Sequence, residues 1–84
     1  MKIIILGAGQ VGVTLAESLA RESFDITVVD NDRSTLSAIS SRLDLQTIEG
    51  WASHPETLRR AGASEADLLI AVTGSDEVNM IACQ

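Results

Sequence analysis

Apolar residues in this 84-residue chain gather in short unbroken runs, and amphipathic stretches separate the runs. Ile3 to Leu6 form the first run, ended by Gly7, and predict a strand over 1–6 that is buried on both faces. From Val11 to about Glu22 the residues Val11, Leu15 and Leu19 recur every four positions, with Ala16 and Ala20 beside them, which is the spacing of one helical stripe. A second strand is predicted over 26–30, ending in an acid. A helix follows over 32–43, with Leu36, Ile39 and Leu43 on one face and Asn31 or Asp32 as its N-cap. A third strand covers 45–49 and stops at Gly50. Ser53 and Glu56 have the S-x-x-E spacing of a capping box, Pro55 is tolerated in the first turn, and the short helix containing Leu58 closes at Gly62. The run DLLIAVT predicts a fourth strand over 67–73, broken by Gly74 and Ser75. A last helix is expected from near Asp76, still running at Gln84.

Strands that alternate with helices across short connections imply an α/β fold with a parallel sheet. Right-handed crossovers then give a Rossmann-type strand order of 3-2-1-4 with helices on both faces. Strand four is apolar throughout, which suits a strand with neighbours on both sides. A complete doubly wound domain has strands five and six, so the chain is expected to be truncated before them. On this reading residues 1–84 form the amino-terminal part of a single dinucleotide-binding domain. The exposed edge of strand four would then pair with another chain.

Composition narrows the function. Hydrophobic residues make up 45 %, yet Phe24 and Trp51 are the only aromatics, so the core must be aliphatic. The net charge is −6, from 12 acidic and 6 basic residues. No basic stripe is available for nucleic acid, and direct binding to anionic lipid is disfavoured. No run approaches the ~20 apolar residues of a membrane span, and Ile3–Leu6 is too short for a signal-peptide core. A soluble, cytoplasmic protein is expected. Cys83 stands alone, which fits a reducing compartment and a small apolar helix residue. His54 has no Cys or second His near it, so no metal site is expected, and it reads as a solvent-facing first-turn residue.

The chemistry-bearing motif is GAGQVG, with Gly7, Gly9 and Gly12 in G-x-G-x-x-G spacing between a predicted strand and a predicted helix. Gly7 permits the turn, Gly9 lets a pyrophosphate approach the backbone, and Gly12 lets the helix pack closely. The helix amino terminus then offers N–H groups and a positive dipole end to the phosphates. Asp30 ends the next strand 18 residues after Gly12, close to the ~20 expected of an acid that binds the adenosine ribose. That carboxylate favours NAD(H) over NADP(H), while nearby Arg33 weakens the inference because an Arg can accommodate a 2′-phosphate. Thr73 and Gly74 end strand four across the crevice and are second-tier contacts. Asp76 and Glu77 read mainly as helix-capping charges. Trp51 is either a base-stacking surface or a partly exposed packing residue. No catalytic constellation is present: there is no Ser-His-Asp set, no tyrosine, and no lysine after Lys2.

The segments MKIIILGAGQVG, ITVVDND and AGASEADLLIAVTGSDEVNMIACQ resemble the start of the TrkA-type RCK (KTN) family, and the resemblance covers essentially the whole chain. The D-E-x-N-x-x-A pattern after strand four is more specific to that family than the glycine loop is. The resemblance implies a regulatory subunit of a potassium-uptake transporter rather than an enzyme. It implies NAD(H), or ATP or ADP, in the crevice, with ligand state setting the arrangement of assembled RCK domains. Carried over, the pyrophosphate loop is Gly7, Ala8, Gly9, Gln10, Val11 and Gly12, the ribose acid is Asp30, and the strand-four contacts are Thr73 and Gly74. Implied partners are other RCK domains in a homo-oligomer and a membrane-embedded potassium transporter subunit, at the cytoplasmic side of the bacterial inner membrane. Trp51 departs from the family, where an Asp often follows the glycine after strand three. The rival expectation is the cofactor-binding half of an NAD-dependent oxidoreductase.

Overall fold

The computed structural model describes residues 1–7, 9–51, 54–72 and 78–82, the side chains of Gln10 and of 78–82 apart. The elements run β1 (Lys2–Leu6), α1 (Gln10–Arg21), β2 (Asp25–Asp30), α2 (Arg33–Ser40), β3 (Gln46–Glu49), α3 (Pro55–Ala61), a 3₁₀ turn (Ala63–Glu65), β4 (Leu68–Val72) and β5 (Val78–Ala82). The first four strands are parallel in the order β3-β2-β1-β4, as the alternation predicts. In the register, Ile5 lies level with Val28 on one side and Ile70 on the other, and Asp30 lies level with Glu49.

Because alternate residues of a strand face opposite ways, the apolar run of β1 supplies both layers of core. Ile3 and Ile5 join Ile26, Val28 and Ile70 beneath α1 and α2, which contribute Ala16, Leu36 and Ile39. Ile4 and Val29 face the other way, against Ala61 of α3 and Ala66. Within α1 the deepest residue is Ala16, at 0 % exposure, with Gly12 buried one turn before it. The buried stripe is therefore centred on the small residues, and Leu15 and Leu19 pack along its margin. A reciprocal clasp aligns the starts of β1 and β4: Lys2 N donates to Asp67 Oδ2, and Asp67 N to Lys2 O, both at 2.8 Å.

The structure corrects three expectations. The segment expected to continue as the last helix is, over Val78–Ala82, a strand paired antiparallel with β4, with Ile70 opposite Met80. An apolar segment this short does not distinguish helix from strand by periodicity. The unpaired N–H and C=O groups along β4 decide the matter. β4 thus has both neighbours within this chain, and its edge is not open to another. α2 ends at Ser40 rather than at Leu43. There the hydroxyls of Ser40 and Ser41 donate to the carbonyls of Ser37 and Ala38, competing with continuation of the helix. α3 has His54, not Ser53, as its N-cap, with Pro55 in the first turn. Proline is favoured at the first helical position, which moves the start by one residue. The Glu56 carboxylate accepts from Arg59 Nη1 at 3.1 Å. Ser53 lies outside the described residues.

Asp32 caps α2, accepting from Ser34 N at 3.0 Å and Thr35 N at 3.4 Å, with Ser34 Oγ at 2.8 Å. The hydroxyls of Ser34 and Thr35, with the two backbone amides, hold its carboxyl below the ordinary value of 3.8. A lowered folded value means that the cap stabilises fully above the unfolded pKa and is lost as pH falls through the folded one. Asp32→Ala is therefore expected to lower the melting temperature by roughly a few degrees at pH 7. The difference should shrink as the pH is taken down through 3.8 and below. Thermal melts of both proteins across pH 2–7 check it, and a gap that widened in acid would contradict the cap.

Candidate functional site

The turn out of β1 is held tightly at Gly7. Its φ is +100°, a region that L side chains rarely adopt, and its N–H donates to Val29 O at 2.7 Å. A Cβ there would lie 2.8 Å from Val72 O, so β2 and β4 close on the turn from both sides. Gly9 is the N-cap of α1 and carries no side-chain cap; among the described residues, a Cβ placed on it would meet nothing within 4 Å. The first donor within α1 is Val13 N, to Gly9 O at 2.9 Å. The amides of Gln10, Val11 and Gly12 precede it and have no intrahelical acceptor. No acidic residue occupies the first turn of α1, although the chain carries a net charge of −6. This helix end offers its N–H groups and the positive end of its dipole, and no described residue crowds Gly9 there.

Asp30 ends β2 beside that loop. Its Oδ1 accepts from Asp32 N at 2.8 Å, a bond that turns the carboxylate back over the strand end. A cleft of about 170 Å³ is lined by Gly7, Val29, Asp30, Asn31, Gly50 and Trp51. The turn after β1 and the ends of β2 and β3 thus meet in one concavity at the carboxyl edge of the sheet. Trp51, at 58 % exposure, forms part of its wall. The backbone before it is crowded, since a Cβ at Gly50 would lie 2.8 Å from Thr57 Oγ1, and Arg60 Nη2 donates to Glu49 O at 2.9 Å. Asn31 and Gly50 enter the sequence reading only as a candidate helix cap and a strand stop, not as site residues; adjacency to Asp30 and Trp51 was the available signal.

These residues fit an adenosine bearing phosphate. Among the described residues nothing crowds Gly9 at the helix end, where an anion would sit, and a carboxylate stands at the neighbouring strand end, where ribose hydroxyls could donate to it. The cleft is smaller than the ~300–1,000 Å³ of sites that enclose a whole drug-sized ligand, a size that suits one part of a larger nucleotide. Ala8, Thr73 and Gly74, like Asp76, Glu77 and Cys83, lie outside the described residues. Val11 is half-buried. His54 is exposed, and among the described residues no group of three His, Cys, Asp or Glu side chains is placed to hold a metal ion.

A larger hollow, of about 760 Å³, lies at the other end of α1, lined by Arg21, Phe24 and Leu43 among others. The Arg42–Glu17 ion pair lies in its wall. Volume alone favours it. In open parallel sheets, however, ligands sit outside the carboxyl ends of strands where the strand order reverses, here between β1 and β4. The glycine turn and Asp30 are at that end, and the candidate site is the smaller cleft. No helix among the described residues is long and apolar enough to cross a membrane.

Known proteins bear on this geometry. Residues 3–84 match the model of the TrkA-N domain. The chain is 66 % identical over all 84 residues to the Trk system potassium uptake protein TrkA of Halomonas elongata, and 58 % identical to that of Haemophilus influenzae. In both cases it spans 18 % of the relative's length. A Trk system potassium uptake protein TrkA homolog of Methanothermobacter thermautotrophicus is 36 % identical over 83 residues, 38 % of its own length. A parallel sheet ordered β3-β2-β1-β4, a glycine turn at its reversal point and a family match over nearly every residue agree: the chain belongs to the TrkA-N domain family.

Proposed function

We propose that residues 1–84 are the amino-terminal, nucleotide-binding part of a regulatory subunit of a potassium-uptake system, and that the ligand is NAD(H). The observation that carries the reading is the pairing of Gly9, which no described residue crowds at the start of α1, with Asp30 in the adjoining cleft. The relatives, named as Trk system potassium uptake proteins, supply the physiological context. The loop from Gly7 to Gly12 holds the pyrophosphate through backbone amides, and Thr73 and Gly74 are proposed as further contacts. Asp30 accepts from the ribose hydroxyls. The protein binds and does not catalyse. Its task is differential: NADH, NAD, ATP or ADP each stabilise a different arrangement of assembled RCK domains, and that arrangement controls a membrane-embedded transporter subunit from the cytoplasmic side.

Calorimetric titration with NADH, NADPH and ATP tests this. NADH is expected to bind more tightly than NADPH. Asp30→Ala is expected to weaken NADH about 10- to 100-fold, the worth of hydrogen bonds to a charged acceptor. ATP binding equal to that of NADH and indifferent to Asp30 would make the module an adenine-nucleotide sensor. Absence of all binding would remove the nucleotide reading.

A further inference from the structure

Arg33, the first residue of α2, is the one group near Asp30 that its sequence position makes suitable for a 2′-phosphate. In the structure it is engaged elsewhere. Its Nε and Nη2 both donate to Glu49 Oε1, at 3.2 and 3.1 Å. Glu49 is the last residue of β3 and lies level with Asp30 in the β2–β3 register. Its backbone is anchored by Arg60 Nη2 on the carbonyl and by the next residue, since Gly50 N donates to Asp30 O at 2.9 Å. The Glu49 side chain therefore projects from a fixed strand end, one strand outward from the ribose acid.

From this arrangement we infer that Glu49 is a second determinant of ligand choice, acting with Asp30 to reject a 2′-phosphate. The inference rests on the reading that the cleft binds the adenosine ribose. Glu49 acts in two ways. It adds a second carboxylate at the strand ends where a dianionic 2′-phosphate would arrive, and it occupies the guanidinium that would otherwise neutralise that phosphate. The ion pair is exposed, with 82 % of the Arg33 side chain and 47 % of that of Glu49 open to solvent. Water and salt screen such a pair, so as a latch it is worth a factor of about five at most. Its influence is on selectivity between ligands differing by one phosphate, where a freed bidentate donor and the loss of a like charge act in the same direction.

Removing Glu49 should leave NADH affinity within about twofold and raise NADPH affinity about tenfold at low ionic strength, less in high salt. The experiment is calorimetric titration of the protein, of Glu49→Ala and of Glu49→Ala/Arg33→Ala with both ligands. Loss of the NADPH gain in the double variant supports the latch, because the gain then runs through Arg33. No gain in Glu49→Ala while NADH still binds overturns the inference and leaves the nucleotide reading standing. A gain that survives undiminished without Arg33 overturns the latch and assigns the discrimination to the charge of Glu49 alone. Failure of the unaltered protein to bind NADH sinks the nucleotide reading, and this inference with it.

Discussion

Gly12→Ala is expected to cost about 2 kcal/mol and to lower the melting temperature by about 8–16 °C. A Cβ at Gly12 collides with the carbonyl oxygen of Gly7 and comes within 3.2 Å of its carbonyl carbon, with Ile5 Cγ2 behind at 3.9 Å. The obstacle is backbone, and it has nowhere to go. Gly7 is bonded through its N–H to Val29 O, and its own open face lies against Val72 O. Relief must come from α1 moving off the sheet, which opens a gap at Ala16, the residue packed deepest against Ile3 and Ile5. Overpacking of this kind costs ~1–3 kcal/mol. Alanine's better helix propensity returns up to ~1 kcal/mol, and the backbone nature of the clash places the net result near the upper part of the range. Chemical and thermal unfolding of the two proteins measure it. An unchanged midpoint would mean that α1 slides without loss and that close approach is not what Gly12 provides.

How much of this was legible beforehand follows from the range of each interaction. The parallel order β3-β2-β1-β4 could be read because each strand carries its own apolar run and each connection is short enough to force a crossover. Gly62 as the end of α3, at φ +82°, is decided within one turn of chain and was equally readable, and the cap of α2 was narrowed to Asn31 or Asp32, of which the structure has Asp32. β5 was not, because whether Val78–Ala82 coils or extends depends on an edge of β4 that exists only once the sheet has formed. The end of α2 was misjudged for a local reason: the apolar spacing reaches Leu43, but two consecutive serines return their hydroxyls to the helix carbonyls first. At the site, the glycine turn and Asp30 were legible from spacing. The Arg33–Glu49 pair was not, since the partners are 16 residues apart and meet only through the β2–β3 register.

Gly9→Ala is expected to do the reverse of Gly12→Ala: leave the fold intact and remove the ligand. Gly9 has φ −65° and ψ −172°, extended backbone that alanine adopts without strain, and its Cβ would meet no atom of the described residues within 4 Å. Alanine is a poorer N-cap than glycine by up to ~1 kcal/mol, but it also restricts the unfolded chain by ~0.4–1 kcal/mol, and the two nearly cancel. Stability should change by no more than about 0.5 kcal/mol. The methyl group would stand in the space a pyrophosphate needs in order to reach the amides at the start of α1. Charge-assisted bonds of that type are worth ~1.5–3 kcal/mol, so NADH affinity should fall about 10- to 100-fold. A thermal melt and a calorimetric titration on the same sample separate the two effects. Full affinity in a stable Gly9→Ala protein would move the phosphate away from this loop. Lost affinity with an unshifted melt would assign Gly9 to the ligand, just as the clash against Gly7 assigns Gly12 to the fold.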